Sequence, residues 1–107
     1  MRKEFAKTVE FLFEKNSKLI LLLGDIGVFS FRNLIKKFPQ KALNIGILEQ
    51  STISFAAGLA RQGFIPIVHT IAPFIVARAF EQLKVDFGYQ KLPGNFVSVG
   101  SSYDYAA

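Results

Sequence analysis

The chain has 107 residues, enough for one small domain with a modest hydrophobic core. Half of its residues are hydrophobic and 12 are Phe, so we expect part of this apolar surface to face another chain. The absence of cysteine excludes disulfides and thiolate metal sites, which fits a cytoplasmic protein. The net charge of +5 forms no basic, aromatic-interleaved stripe, and the longest aliphatic run is too short to span a bilayer, so neither nucleic acid nor membrane is an expected partner.

Apolar spacing in the first third of the chain predicts a helix, a strand and a second helix. Residues 3–16 carry Phe and aliphatic side chains at helical spacing. Residues 19–23 are a continuous aliphatic run, typical of a strand buried on both faces of a parallel sheet, and the turn 24–27 closes it. Ser30 can cap a short helix that ends at Pro39.

The middle of the chain predicts a second strand followed by a longer helix. The strand spans residues 42–47, the helix spans residues 49–61, and Gly63 gives this helix a C-terminal stop. Small side chains on the helix would let a neighbouring backbone approach closely. They are Ala56, Ala57, Gly58 and Ala60.

The last third predicts a third strand, a helix and a fourth strand. Residues 64–71 form the third strand, with Pro66 near its start, where a missing backbone donor is tolerated. The helix that follows has a single apolar stripe, made of Val76, Phe80, Leu83 and Phe87. A loop over residues 88–94 then leads to the fourth strand, over residues 95–100.

Strands that alternate with helices in this way predict an α/β fold with a doubly wound, open, mainly parallel sheet and helices on both faces. Residues 101–107 supply no helix to cover the last strand, so we expect the sequence to stop inside the domain. No internal repeat or linker divides the chain. We therefore treat residues 1–107 as one partial domain.

Glu49 lies where the second strand meets the longer helix. An acid in the first turn of a helix is favoured by the helix dipole, and such glutamates are common. The apolar sequences on both sides of Glu49, however, predict that it lies at the carboxyl edge of the sheet, the usual ligand crevice of an open α/β fold. A buried carboxylate there is costly unless it has a partner. Glu49 is therefore the first candidate functional residue.

Asp25 and His69 each have a structural and a functional interpretation. An aspartate between glycines is ordinary turn chemistry, but Asp25 also follows the first strand and would point into the same crevice as Glu49. His69 is the only histidine. A lone histidine at a strand end is more often a hydrogen-bonded structural residue than a ligand or a base.

Three linked motifs resemble a known family. They are NIGILEQ at 44–50, FAAGLARQGFIPIVHT at 55–70 and APFIVARAFEQ at 72–82. In this order they are similar to the pyrimidine-binding domain of transketolase, 1-deoxyxylulose-5-phosphate synthase and related thiamine diphosphate-dependent enzymes. The resemblance covers nearly the whole chain and implies the pyrimidine module of the thiamine diphosphate-binding fold.

The resemblance also implies roles for individual residues. Glu49 would bond to the far side of the aminopyrimidine and favour its imino tautomer, so that the cofactor's own amino group can take up a proton. Phe74 would stack on the aminopyrimidine, although a phenylalanine in the first turn of a helix is usually core. Asp25 corresponds to an acid near the cofactor and the dimer interface. Ile71 and Ala77 replace family aromatic residues and keep the pocket apolar.

A partner is implied as well. In such enzymes a separate domain binds the diphosphate and its Mg²⁺ through Gly-Asp-Gly and a later asparagine. The sequence Gly-Asp-Ile-Gly at 24–27 lacks the third-position glycine, and no suitably spaced asparagine follows, so we expect no metal site on this chain. The chain alone should be inactive and should form a homo- or heterodimer with a diphosphate-binding domain or subunit, acting on sugar phosphates.

Three functions remain open at this point. The first is part of a transketolase-like or 1-deoxyxylulose-5-phosphate synthase-like transferase that moves a two-carbon unit between sugar phosphates or keto acids. The second is the β subunit of a 2-oxo acid dehydrogenase, although the segment QKLP and the closing SYDY resemble the first class more closely. The third is a non-catalytic module, either a degenerate domain kept for assembly or a flavodoxin-like binding domain.

Overall fold

The computed structural model describes residues 1–100, and within them a parallel four-stranded sheet is packed between helices on both faces. The strands are β1 (Leu19–Leu23), β2 (Ala42–Asn44), β3 (Ile65–Ile71) and β4 (Asn95–Val99), in the spatial order β2-β1-β3-β4. The helices are α1 (Arg2–Lys15), α2 (Arg32–Lys37), α3 (Glu49–Arg61) and α4 (Phe80–Gln82). Two π-helical segments, π1 (Phe74–Arg78) and π2 (Leu83–Tyr89), flank α4. The predicted doubly wound parallel fold is confirmed.

Strand β1 is the centre of the sheet and separates two apolar cores. All five of its residues are buried, and it pairs in parallel with β2 on one side and β3 on the other. Because side chains alternate along a strand, Leu21 faces the core under α1 and α2, while Leu22 faces the core under α3. The prediction of a strand buried on both faces is therefore confirmed.

Helix α2 begins differently from the prediction. Ser30 is exposed and makes no capping hydrogen bond, and the residue at the helix start is Phe31. The Phe31 ring is buried in the core with α1, and its backbone N–H donates to the Gly27 carbonyl at 3.1 Å. Burial of this ring therefore fixes the start of α2, and the predicted serine cap is wrong.

Helix α3 has the predicted bounds, and its small residues divide into two sets. Ala56 and Ala57 are buried against the sheet, which allows the close approach that their size predicts. Gly58 is exposed instead, and a Cβ atom added to it would contact no neighbouring atom. Gly63 has a φ of +89°, and its N–H donates to the Ala60 carbonyl, so it ends the helix as predicted.

Strand β2 is shorter than the predicted strand over residues 42–47. After Asn44, one further backbone bond joins the Ile45 N–H to the Leu23 carbonyl at 2.8 Å. Gly46 then adopts a φ of +92°, which turns the chain away from the sheet edge. Ile47 and Leu48 are consequently exposed in the connection to α3.

The apolar stripe predicted for the helix after β3 is wrong at two of its residues. Val76 and Phe80 are 62% and 60% exposed, whereas Ile75 and Ala79 are buried. A π-helix closes its hydrogen bonds between residues five apart, so each turn holds more residues than the α-helical spacing assumes. The buried face consequently shifts by one residue.

The end of this helical region also differs from the prediction. Segment π2 continues through Gly88 to Tyr89, so the connection to β4 begins later than the predicted loop over 88–94. Phe87 packs edge-to-face on Phe96 of β4, with ring centroids 4.9 Å apart. The predicted absence of a covering helix after β4 concerns residues 101–107, which lie outside the described residues.

Within residues 1–100, no helix combines the length and the apolar character that crossing a bilayer requires.

Two glycine substitutions near the end of α3 should have opposite effects on stability. Gly58→Ala should raise the free energy of unfolding by about 0.5–1 kcal/mol, because alanine favours the helix and the new methyl group meets no neighbour. Gly63→Ala should lower it by about 1 kcal/mol, because alanine is strained at positive φ. Urea unfolding followed by circular dichroism measures both values, and equal effects of the two changes would contradict the description of this helix end.

Candidate functional site

Glu49 is the first residue of α3 and lies at the carboxyl edge of the sheet. Only 4% of the residue is exposed. The apolar β2 strand leads into the turn before it, and α3 packs Ile53 and Ala57 against the sheet just beyond it. Because the packed face of α3 carries Glu49 inward, the carboxylate is removed from bulk water as the sequence predicts.

The Glu49 carboxylate has a cationic partner that the sequence analysis did not identify. Arg78 Nη1 donates to Glu49 Oε2 at 2.9 Å, and the Thr70 hydroxyl makes a longer contact of 3.5 Å with Glu49 Oε1. A charge-assisted bond of this kind offsets the cost of burying a carboxylate. Two features of Arg78 in the sequence could have indicated this contact. Its side chain is positively charged, and it lies four residues after Phe74 in the helix that leaves the same sheet edge.

Arg78 also contacts the candidate aromatic residue. Its guanidinium carbon lies 4.1 Å from the centroid of the Phe74 ring, a cation–π arrangement. Phe74 is the first residue of π1 and is half-buried. One planar guanidinium therefore joins two of the residues for which the resemblance implies contact with the cofactor.

A shallow recess adjoins the Glu49 carboxylate. Strand β3 contributes Thr70 to its lining, and Gly24 lies opposite. A Cβ atom on Gly24 would lie 2.7 Å from Thr70 Oγ1, so the close approach of β1 and β3 requires glycine at this point. The recess is accordingly lined by the ends of β1 and β3 together with residues of α3 and π1.

Asp25 lies at the same edge but is bound to a different neighbour. Its backbone N–H donates to Asn44 Oδ1 at 2.9 Å, and Asn44 Nδ2 donates to Asp25 Oδ1 at 3.0 Å. Asp25 is exposed and has a φ of 57°, a left-handed conformation that aspartate tolerates in turns. The described contacts therefore join Asp25 to the end of β2 and do not bring it together with Glu49.

His69 lies on the opposite face of β3 from Thr70. Its Nδ1 lies 2.6 Å from the Val97 carbonyl oxygen, and since a carbonyl only accepts, Nδ1 is the donor. The imidazole packs on the Phe5 ring, with centroids 4.9 Å apart. Burial lowers the pKa of His69, the bond to Val97 partly raises it, and Arg2 lowers it further. The structural interpretation of this histidine fits these contacts.

Ile71, the remaining candidate, is the last residue of β3 and is half-buried. Alternation along the strand gives it the same face as His69, away from Thr70 and Glu49. Among residues 1–100, no group of three or more His, Cys, Asp or Glu side chains could hold a metal ion.

Comparison with known protein families identifies the family of this chain. The model of the family described as "Transketolase, pyrimidine binding domain" matches residues 1–107. The chain belongs to this family. The resemblance predicted from the three sequence motifs is thereby confirmed, and the buried Glu49 lies within the first of those motifs.

Individual relatives come from several kinds of protein. The chain is 36% identical over 96 residues to 1-deoxy-D-xylulose-5-phosphate synthase of Synechococcus sp. (strain CC9605), a match that covers 89% of the chain and 15% of that protein. It is 41% identical over 71 residues to an apulose-4-phosphate transketolase subunit of Actinobacillus succinogenes, covering 66% and 23%. An uncharacterized 33.6 kDa protein in the fasciation locus of Rhodococcoides fascians is 38% identical over 100 residues, covering 94% and 32%.

A solved structure gives the same relationship in three dimensions. It is titled "Split gene transketolase, inactive beta4 tetramer" and matches with a TM-score of 0.81 and 33% identity, covering 91% of this chain and 33% of that one. The chain thus spans about a third or less of the length of these relatives.

The lowered pKa of His69 predicts a pH dependence of stability. Since burial disfavours the charged imidazole in the folded state, the unfolded chain binds more protons around its ordinary pKa of about 6.5. The free energy of unfolding should therefore fall as pH falls from about 7.5 to about 5.5, and this part of the decrease should be missing in His69→Gln. Urea unfolding across this range measures it, and identical pH profiles for the two proteins would contradict the buried neutral imidazole.

Proposed function

We propose that this chain supplies the pyrimidine-binding side of a thiamine diphosphate-dependent transferase that moves a two-carbon unit between sugar phosphates or keto acids. The enzyme would be transketolase-like or 1-deoxyxylulose-5-phosphate synthase-like. The observation that carries the proposal is the buried Glu49 carboxylate at the carboxyl edge of the sheet, joined through Arg78 to the Phe74 ring. Family membership supports the same conclusion.

The residues at this edge fit an aminopyrimidine. The Arg78 guanidinium is planar, donates an N–H to the Glu49 carboxylate and lies over the Phe74 ring. A protonated aminopyrimidine is also planar, can also donate an N–H to a carboxylate, and can also stack on an aromatic face. The site thus already holds a group with the two contacts that the proposed ligand needs.

The candidate residues have different parts in the proposal. When bound, thiamine diphosphate supplies the carbon nucleophile that attacks a carbonyl substrate. Glu49 shares a proton with a ring nitrogen of the pyrimidine, and its burial excludes water from that bond. Phe74 orients the ring. Asp25, in the exposed turn after β1, would contribute near the cofactor and a subunit interface, whereas Ile71, on the opposite face of β3 from Thr70, is given no role beside Glu49.

The diphosphate and its Mg²⁺ would be held by a second domain or subunit, so we propose that the pyrimidine-binding side is inactive alone. Two relatives are named as a transketolase subunit and a split gene transketolase, which supports a divided enzyme. Large exposed apolar side chains support a homo- or heterodimeric contact. They include Phe29, Ile47, Leu48, Val76 and Phe80. The cysteine-free composition supports a cytoplasmic enzyme.

A non-catalytic assembly domain is the second candidate, and one observation favours it. The Glu49 carboxylate already has a partner within the chain, so the Glu49–Arg78 pair satisfies the buried charge without any ligand. A domain kept only for assembly could retain such a pair for its contribution to the fold. The two candidates differ in whether turnover depends on the carboxylate.

Replacing Glu49 separates these candidates. In the protein that carries this chain, assembled with a diphosphate-binding domain or subunit, Glu49→Ala should lower kcat by about 10²–10⁴-fold because the ring nitrogen loses its proton partner. Glu49→Gln should keep the fold and lower kcat as well, since an amide cannot share that proton. Steady-state transfer of a two-carbon unit to an aldose phosphate measures the effect, and circular dichroism verifies folding.

The matched control is Glu81→Ala, which removes an exposed glutamate of α4 and should leave kcat unchanged. Unchanged turnover in Glu49→Ala would rule out the proton-sharing role and leave the assembly function.

A further inference from the structure

We propose that Arg78 competes with the aminopyrimidine for the Glu49 carboxylate and the Phe74 ring, and must swing out before the ring can bind. Arg78 is then a residue that sets the affinity and selectivity of the site, because an entering ligand must replace both of its contacts. The inference rests on the proposed function and adds a competition between a side chain and the ligand.

The geometry of Arg78 is that of a bound planar cation. Its guanidinium donates to Glu49 Oε2 at 2.9 Å, and its central carbon lies 4.1 Å from the Phe74 ring centroid. These contacts engage one oxygen of the Glu49 carboxylate and the Phe74 ring, the two groups that the proposed ligand needs. A pyrimidine nitrogen and Arg78 Nη1 cannot both occupy the space in front of the same carboxylate oxygen.

The exposure of the pair shows which partner can move. The Glu49 side chain is 2% exposed and is fixed at the start of α3, whereas the Arg78 side chain is 41% exposed and comes from a π-helical segment at the surface. The guanidinium can therefore leave into water along its flexible stem, while the carboxylate cannot. Departure of Arg78 would leave a buried charge without its cation, and only a ligand that offers its own N–H donor restores the pairing.

The need to replace both contacts of Arg78 also determines which flat ligands can bind. A neutral aromatic ring could replace the stacking on Phe74 but would leave Glu49 without a donor, which is costly for a buried carboxylate. A planar ring with a protonated nitrogen replaces both contacts. Arg78 thus excludes flat ligands that lack a donor.

The test compares the affinity of thiamine, which carries the aminopyrimidine ring, for the wild-type chain and for Arg78→Met. Ligand-observed NMR titration gives each Kd. Arg78→Met should bind thiamine about tenfold more tightly, since the ligand no longer displaces an ion pair and a cation–π contact. Arg32→Met is the matched control, because Arg32 lies over Phe29 at the same 4.1 Å at an exposed site, and its Kd should be unchanged.

Glu49→Gln distinguishes failure of this inference from failure of the proposed function. If Arg78→Met binds no more tightly while Glu49→Gln binds more weakly, the pyrimidine site stands and the competition is wrong. If Glu49→Gln binds as tightly as wild type, or if no variant binds thiamine, both proposals are overturned.

A second measurement needs no substitution. Rotation of the Arg78 guanidinium, followed through its side-chain ¹⁵N resonances in the wild-type chain, should change from restricted to free as thiamine is added. Rotation that stays restricted at saturating thiamine would overturn the inference, even if Arg78→Met fails to fold.

Discussion

The burial of one carboxylate at the end of a parallel sheet is the constraint on which the rest of this structure depends. Glu49 can lie there only because α3 begins at that point and because Arg78 reaches it from the next helical region. A buried ion pair adds little net stability relative to apolar packing, but removing one partner is costly. The pair therefore ties α3 to π1 and makes the relative position of these two elements part of the site.

The fold was largely predictable because β1 is apolar throughout and because strands and helices alternate along the chain. The bounds of β1 and α3 were predicted correctly from the run at residues 19–23 and from the helix over 49–61. The buried face of the helical segment after β3 was predicted incorrectly, because π-helical turns change the residue spacing on which amphipathic patterns rely. The apolar spacing of the sequence does not distinguish π-helical from α-helical turns in this segment.

The burial of Glu49 was predictable from the sequence, and its contact with Arg78 was not. The apolar residues around Glu49 in the sequence predicted that its carboxylate is buried and needs a partner. In the sequence, Arg78 resembles any surface arginine on a helix. Only the folded chain reveals that its side chain lies back over Phe74 and reaches the carboxylate. For Asp25, the position after β1 predicted a side chain in the crevice with Glu49, but its hydrogen bonds join it to Asn44 instead.

The contact between Gly24 and Thr70 has an evolutionary consequence. Because the two strands approach so closely there, any side chain at position 24 would need a smaller residue at position 70, and Thr70 is also one of the groups that touches Glu49. The two positions are thus expected to covary among chains of this fold. A homologue with a larger residue at position 24 would lose the Thr70 hydroxyl beside the Glu49 carboxylate. A substitution at this structural glycine would therefore alter the surroundings of Glu49 through residue 70.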